Sequence, residues 1–150
     1  MNSVFAKHAS NVVELFHRLD DAIAHGFLDK FPPEPGVYLF LEDGTPGRIG
    51  RTNNLSQRLK NHLRQDHGSA AYAFKRARQK LGLKPTYRKG SGRKDLQKDP
   101  AFVEVFRAEI ERLKTLSVKY VVVEDIAEQY LLEIYSAIEY GFALDEFGNH

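Results

Sequence analysis

Gly36-Val37-Tyr38-Leu39-Phe40-Leu41, then Glu42-Asp43-Gly44-Thr45-Pro46, then Gly47-Arg48-Ile49-Gly50-Arg51 is the stretch on which the fold turns. Val37 to Leu41 is a short run of β-branched, aromatic and aliphatic residues, which suits a strand. Glu42 to Pro46 holds turn-forming residues, and Gly47 to Arg51 reads as a second, shorter strand. Upstream, Pro32, Pro33 and Pro35 remove backbone donors and bias the chain to an extended form, so no helix runs into the hairpin.

Working outward, Phe5 to Ile23 has the spacing of an amphipathic helix, with Val12, Val13, Phe16, Leu19 and Ile23 on one stripe. Downstream, Asn53 or Asn54 is placed to cap a helix in which Leu55, Leu59 and Leu63 repeat at four-residue steps. Ser69 to Leu81 reads as a further helix ended by Gly82. Leu83 to Pro100 reads as a loop or arm, Ala101 to Leu116 as a helix, Val118 to Val123 as a strand, and Ala127 to Tyr140 as the last helix. The expected fold is one α/β (α+β) domain over residues 1–150, a small antiparallel three-stranded sheet flanked by helices. Residues 1–30 would be an N-terminal helical extension and 69–116 a helical insertion carrying a basic arm.

Composition narrows the class. The chain has 150 residues, 42% hydrophobic and 28% charged, enough for a genuine core. No apolar run approaches the ~20 residues of a membrane-crossing helix, and the first residues lack the pattern of a secretion signal. The absence of cysteine excludes disulfides and thiolate metal sites and fits a reducing, cytoplasmic setting. Net charge is +2, but between Lys75 and Lys98 basic residues face a single acid, Asp95. Arg88, Lys89, Arg93 and Lys94 are the centre of that segment, a candidate footprint for nucleic-acid phosphates; a solvated loop is the plainer alternative.

Gly36-Val37-Tyr38, Arg48-Ile49-Gly50 one hairpin later, Arg51-Thr52-Asn53-Asn54-Leu55, Arg58 and His62 on the next helix, and Leu131-Leu132-Glu133 near the end form an ordered set. In that order it resembles the GIY-YIG nuclease family over roughly residues 36–63 and 118–145. The resemblance implies an endonuclease acting on DNA with one divalent ion, Mg²⁺ or Mn²⁺, held by a carboxylate, here Glu133, together with water and phosphate. It assigns Tyr38, Arg58, Glu133 and His62 to catalysis. Phosphodiester hydrolysis has to activate a water and stabilise added negative charge on the phosphate. Tyr38 offers a rigid phenol for the water, Arg58 a fork of donors for the charged oxygens, and Glu133 a hard oxygen for the ion.

Helix geometry supports Glu133. At ~100° per residue, Ala127, Tyr130, Leu131, Ile134, Ala137 and Ile138 form one apolar arc. Glu133 falls on its edge between Tyr130 and Ala137, with Glu128 on the opposite edge and Glu139 further out. Arg58 and His62, four apart, share a helix face. The chain departs from the family pattern twice. Arg48 stands where the second tyrosine is usual; a guanidinium stays protonated at neutral pH, so it can contact phosphate but not act as a base. Asp145 stands where an asparagine is common, with Asn149 offset. Arg51, just after the hairpin glycine, suits a phosphate contact. Two other readings stay open: a nucleic-acid-binding module that has lost catalysis, and a protein-interaction domain whose basic arm recruits an acidic partner. The exact target and the oligomeric state stay open as well.

Overall fold

The structure, a computed structural model, describes residues 3–64, 70–82, 96 and 98–144. In chain order its elements are α1 (Val4–Asp20), β1 (His25–Gly26), β2 (Gly36–Glu42), β3 (Thr45–Thr52), α2 (Leu55–Asn61), α3 (Ala71–Lys80), α4 (Pro100–Leu113), β4 (Ser117–Val122) and α5 (Ile126–Glu139). The chain divides into two compact units, Met1–Arg58 with Leu116–Asn149, and Leu59–Thr115.

The first unit holds an antiparallel sheet in the order β1-β4-β2-β3. Four strands replace the three expected from sequence. The extra one, β1, is two residues long and pairs His25 with Val118 and Gly26 with Ser117, too short to leave a pattern in the sequence. The β2–β3 turn is tighter than expected, because Glu42 pairs with Thr45 and leaves only Asp43-Gly44 between the strands. Both turn residues have positive φ, 51° and 80°. That is the type I′ geometry that matches strand twist, and Gly44 adopts it without a Cβ clash.

Further along, Leu41 pairs with Pro46 and Phe40 with Arg48, so Gly47 is the extra residue of a bulge. A bulge tolerates the proline beside it and re-aims the residues that follow. It puts Arg48 and Gly50 on the sheet face of Phe40 and Tyr38. Val37, Leu39, Leu41 and Ile49 occupy the other face, where they form the main core with Val12, Phe16 and Leu19 of α1, Val121 and Val123, and Leu132 and Ala137 of α5.

Helix α1 stops earlier than its apolar spacing suggests. Its stripe is Val12, Phe16 and Leu19, while Val13 and Ile23 are exposed. Polar contacts mark the end: Lys119 Nζ donates to the Asp20 carbonyl at 2.6 Å, and the Tyr140 hydroxyl to Asp20 Oδ1 at 2.8 Å. Near its start, α1 is tied to α5 by His8 Nδ1 against Glu128 Oε2 at 2.7 Å. No helix among the described residues is long and apolar enough to cross a membrane.

The second unit pairs α3 with α4. Asp99 caps α4 by accepting from the Ala101 N–H at 3.0 Å, with Pro100 in the first turn, where its missing N–H costs nothing. Phe74 packs on Phe102 and Phe106 with ring centroids 4.8 and 5.5 Å apart. Beside them the fully buried Glu109 accepts from Arg76 Nε at 2.9 Å and is ion-paired with Lys80 Nζ at 2.7 Å and Arg112 Nη1 at 3.8 Å.

Candidate functional site

The two motif glycines are explained by what lies against them. A Cβ on Gly50 would fall on Cζ and the hydroxyl oxygen of Tyr38. The phenol of Tyr38, which pairs across the ladder with Gly50 and is 1% exposed, therefore lies over this glycine, reaching from β2 onto β3. A Cβ on Gly36 would meet the Val121 carbonyl oxygen and lie 3.0 Å from Leu55 Cδ1. Gly36 thus lets β4 and the start of α2 close on the beginning of β2.

Helix α2 is fastened to that same place. Its first N–H groups donate to loop carbonyls, Leu55 to Glu34 at 2.9 Å and Ser56 to Pro32 at 3.1 Å. Of the two asparagines, Asn54 is the cap, accepting from the Gln57 N–H at 3.0 Å. Thr52 Oγ1 in turn accepts from the Asn54 N–H at 3.1 Å. Arg58 follows one turn later, half-buried on a helix whose origin is fixed against the start of β2. The helix ends at Asn61, short of the expected run through Leu63. His62 therefore lies in the turn that follows, fully buried and within the second unit, and not on a helix face shared with Arg58.

The face of α5 differs from the apolar arc read from sequence. Its buried residues are Gln129, Leu132, Glu133, Ser136 and Ala137, while Tyr130 and Ile138 are exposed. Glu133 sits within the buried face rather than on its edge. The reason is polar pairing with β3, which counting apolar residues cannot register. The Arg51 backbone N–H donates to the Glu133 carboxylate, with the guanidinium groups of Arg51 and Arg48 in electrostatic range. Since β3 is the outer strand of the described sheet, this N–H is spent on a side chain instead of a neighbouring strand.

Glu133 is 5% exposed, and burial pushes its carboxyl above the usual carboxylate range. The charge of Arg51, that of Arg48 and the Arg51 N–H all pull the other way and do not overcome it. The carboxyl is thus buried beyond what its cationic neighbours offset, and it is a hard oxygen donor. Both properties fit a hard divalent cation.

Arg51 is held firmly. Nε donates to Gln129 Oε1 at 3.1 Å, Nη1 to the Tyr130 hydroxyl at 3.2 Å and Nη2 to Asn53 Oδ1 at 3.3 Å, and the guanidinium lies 4.3 Å from the Tyr130 ring centre. Gln129 is oriented by its own bond from Nε2 to the Val123 carbonyl at 2.8 Å. These hydrogen-bond acceptors are neutral, and the Glu133 carboxylate lies in electrostatic range of the charge they position. Gln129 and Tyr130 are neighbours of the candidate site that the sequence did not suggest; a glutamine on the buried face of a helix has no periodic signal of its own.

Four of the expected residues thus meet along one short stretch of β3. Tyr38 lies over Gly50, the next N–H along binds Glu133, and the charges of Arg48 and Arg51 bear on that carboxylate. Arg58 lies on the helix whose first turn is held against the start of β2. Arg88, Lys89, Arg93 and Lys94, like Asp145 and Asn149, lie outside the described residues.

No protein-family model matches the sequence, and no curated protein does. Among solved structures, the chain is similar to the GIY-YIG N-terminal endonuclease domain of UvrC from Thermotoga maritima bound to magnesium, its catalytic divalent cation. The likeness has 22% identity and a TM-score of 0.40, over 86% of this chain and 92% of that one. A point mutant of the same domain, also bound to its catalytic cation, matches at 21% identity and a TM-score of 0.40, over 86% and 91% of the two chains. The α+β architecture here, an antiparallel sheet flanked by helices, is the one expected from the motif order.

Proposed function

We propose that this chain is a cytoplasmic, divalent-metal-dependent endonuclease that hydrolyses phosphodiester bonds, with DNA as substrate. The observation that carries the reading is the meeting of the Tyr38 phenol and the Glu133 carboxylate on one backbone stretch, Gly50-Arg51, at the outer strand of the sheet. The charges of Arg48 and Arg51 are both in electrostatic range of that carboxylate. A buried carboxylate, a buried phenol and fixed guanidinium groups are costly to assemble for stability alone. Together they are the parts that phosphodiester hydrolysis needs.

In this reading Glu133 holds the ion. When bound, Mg²⁺ or Mn²⁺ supplies Lewis-acid stabilisation of phosphate charge and lowers the pKa of a bound water. Tyr38 orients the attacking water through its phenol oxygen. Arg58 donates to the non-bridging oxygens, where charge builds up. Arg51, pre-set by Gln129 and Tyr130, presents a fixed positive charge to the incoming strand. Arg88, Lys89, Arg93 and Lys94 are proposed as further backbone contacts that lengthen the footprint.

One observation favours a second reading. Arg48 replaces the second phenol of the family pattern and lies in electrostatic range of Glu133, which suits a module that binds nucleic acid without cutting it. Incubation of wild-type protein with supercoiled plasmid and with RNA, in Mg²⁺ and in Mn²⁺, separates the two. Nicking of plasmid that stops on chelation is expected. Retained DNA binding with no cleavage in either metal would leave the binding module; cleavage of RNA alone would move the substrate.

A further inference from the structure

Tyr130 stands three residues before Glu133 on α5, and it is 54% exposed while Glu133 is buried. Residues three apart are neighbours on a helix surface, with roughly 5–6 Å between their Cβ atoms. The ring therefore stands at the rim of the place where Glu133 would hold an ion. One of its faces is taken: the Arg51 guanidinium lies 4.3 Å from the ring centre, and Nη1 donates to the hydroxyl at 3.2 Å. The exposure is thus carried by the opposite face and the ring edges. Arg51 is itself held by Gln129 and Asn53, so its plane is fixed as well. These three bonds use one hydrogen on each of Nε, Nη1 and Nη2. A guanidinium has five N–H donors, so one on each terminal nitrogen is left over. A fixed ring with an open face, next to a fixed cation with donors to spare, matches the two halves of a nucleotide, its base and its phosphate.

We propose that Tyr130 is a stacking platform for one nucleobase flanking the scissile phosphate, with Arg51 on the adjoining phosphate, so that the chain favours DNA unpaired at the cut. The inference rests on the endonuclease reading and narrows its substrate. An exposed aromatic face accepts any base, because every base has a π-face. In an intact duplex those faces are stacked on one another and the grooves present base edges only. The platform is reached by a base turned out of the stack, and turning out costs least where the base is already unpaired or mismatched. The acids at the start of α5, which would repel phosphate, are engaged: Asp125 accepts from the Glu128 N–H, and the Glu128 carboxylate meets His8. The plainer role for the Arg51–Tyr130 pair is a tether between β3 and α5. A tether uses the hydroxyl and the covered face, and gains nothing from an aromatic face left in water.

The test is the affinity of the full chain for a fluorescein-labelled DNA single strand and for a blunt duplex of the same length. Fluorescence anisotropy reads it, with EDTA present so that nothing is cut. Tyr130→Phe keeps the ring without the hydroxyl, and Tyr130→Leu removes both; melting curves verify that each exposed-site variant is folded. Wild type and Tyr130→Phe should bind the single strand alike, and Tyr130→Leu about tenfold more weakly. Duplex affinity should stay within about twofold across the three, since a duplex offers edges rather than faces. Equal single-strand affinity in Tyr130→Phe and Tyr130→Leu would overturn the platform. So would an equal loss on duplex and single strand in Tyr130→Leu, the mark of a broken tether. Cleavage of a flapped DNA by wild type in Mg²⁺ and in Mn²⁺, measured alongside, separates this inference from the reading beneath it. Metal-dependent cleavage with no effect of Tyr130→Leu on binding would overturn the platform and leave the endonuclease. Single-strand preference that Tyr130→Leu abolishes, with no cleavage in either metal, would overturn the endonuclease reading and the placement of the stacked base at a scissile phosphate.

Discussion

Two helices each bury a glutamate, and the two carboxylates live under opposite conditions. In the second unit Glu109 faces Arg76, Lys80 and Arg112. Burial alone would push its carboxyl up, but hydrogen bonds and charge from Lys80 and Arg76 outweigh that and hold it below the usual range. In the first unit Glu133 has two guanidinium groups and a backbone N–H, yet burial wins and its carboxyl is raised. Similar residues in similar helices therefore do different work. Glu109 is a clamp between α3 and α4, its charge fully answered by its neighbours. Glu133, whose carboxyl burial raises despite its cationic neighbours, is the acid proposed to hold a metal ion. Burial alone does not separate a structural acid from a chemical one; the balance of charge around it does.

Tyr38→Phe sharpens the comparison most. The ring still fills the space over Gly50, so thermal stability should stay near wild type while plasmid cleavage falls by about 10²–10⁴-fold. Melting curves alongside single-turnover rates check this. Loss of fold together with activity would mean that Tyr38 is a core residue first.

Glu109→Ala should behave in the opposite way. Removing one partner of a buried ion cluster strands the others, at a cost of about 3 kcal/mol, with little effect on turnover in the protein that remains folded. Denaturant melts read the first quantity, and rates normalised to folded protein read the second. A rate loss as large as that of Tyr38→Phe would erase the distinction between the two glutamates.

The smallest effect lies in the pH dependence of stability, where the two acids have opposite signs. The raised carboxyl of Glu133 contributes stability that is fully present below its unfolded pKa, roughly 4.3, and is lost as pH rises through the folded value. Glu133→Gln should thus melt slightly above wild type at pH 7 without metal, with the gap closing near pH 4. The lowered carboxyl of Glu109 contributes stability present above its unfolded pKa and lost as pH falls through the folded value, so Glu109→Gln should melt below wild type at pH 7, with a deficit that narrows on acidification. Thermal melts of the three proteins at both pH values check the pair of signs; gaps of the same sign would contradict the contrast.

The hairpin was legible because strand chemistry, turn residues and motif glycines all lie within sixteen consecutive residues, and each points the same way. Tyr38, Glu133 and Arg51 were candidates by their order, and the structure brings them to one stretch of β3. What escaped was anything set by partners distant in sequence. The two-residue β1 exists only because β4 offers it an edge. The buried face of α5 turns toward Gln129, Glu133 and Ser136, since Arg51 on β3 gives two of them polar partners. Arg48 reads from sequence as a lost tyrosine; the nearness of its charge to Glu133 is visible only in three dimensions.

Glu133 is the residue on which the proposed metal-dependent chemistry depends. Wild type and Glu133→Gln, compared under single-turnover conditions on supercoiled DNA in Mg²⁺ and in Mn²⁺, measure it directly. Glutamine keeps the size of the side chain and an oxygen for the Arg51 N–H, so the fold and DNA affinity should be preserved. The predicted result is metal-dependent nicking by wild type, with cleavage by Glu133→Gln reduced to background. Cleavage by Glu133→Gln at the wild-type rate in either metal would contradict the account.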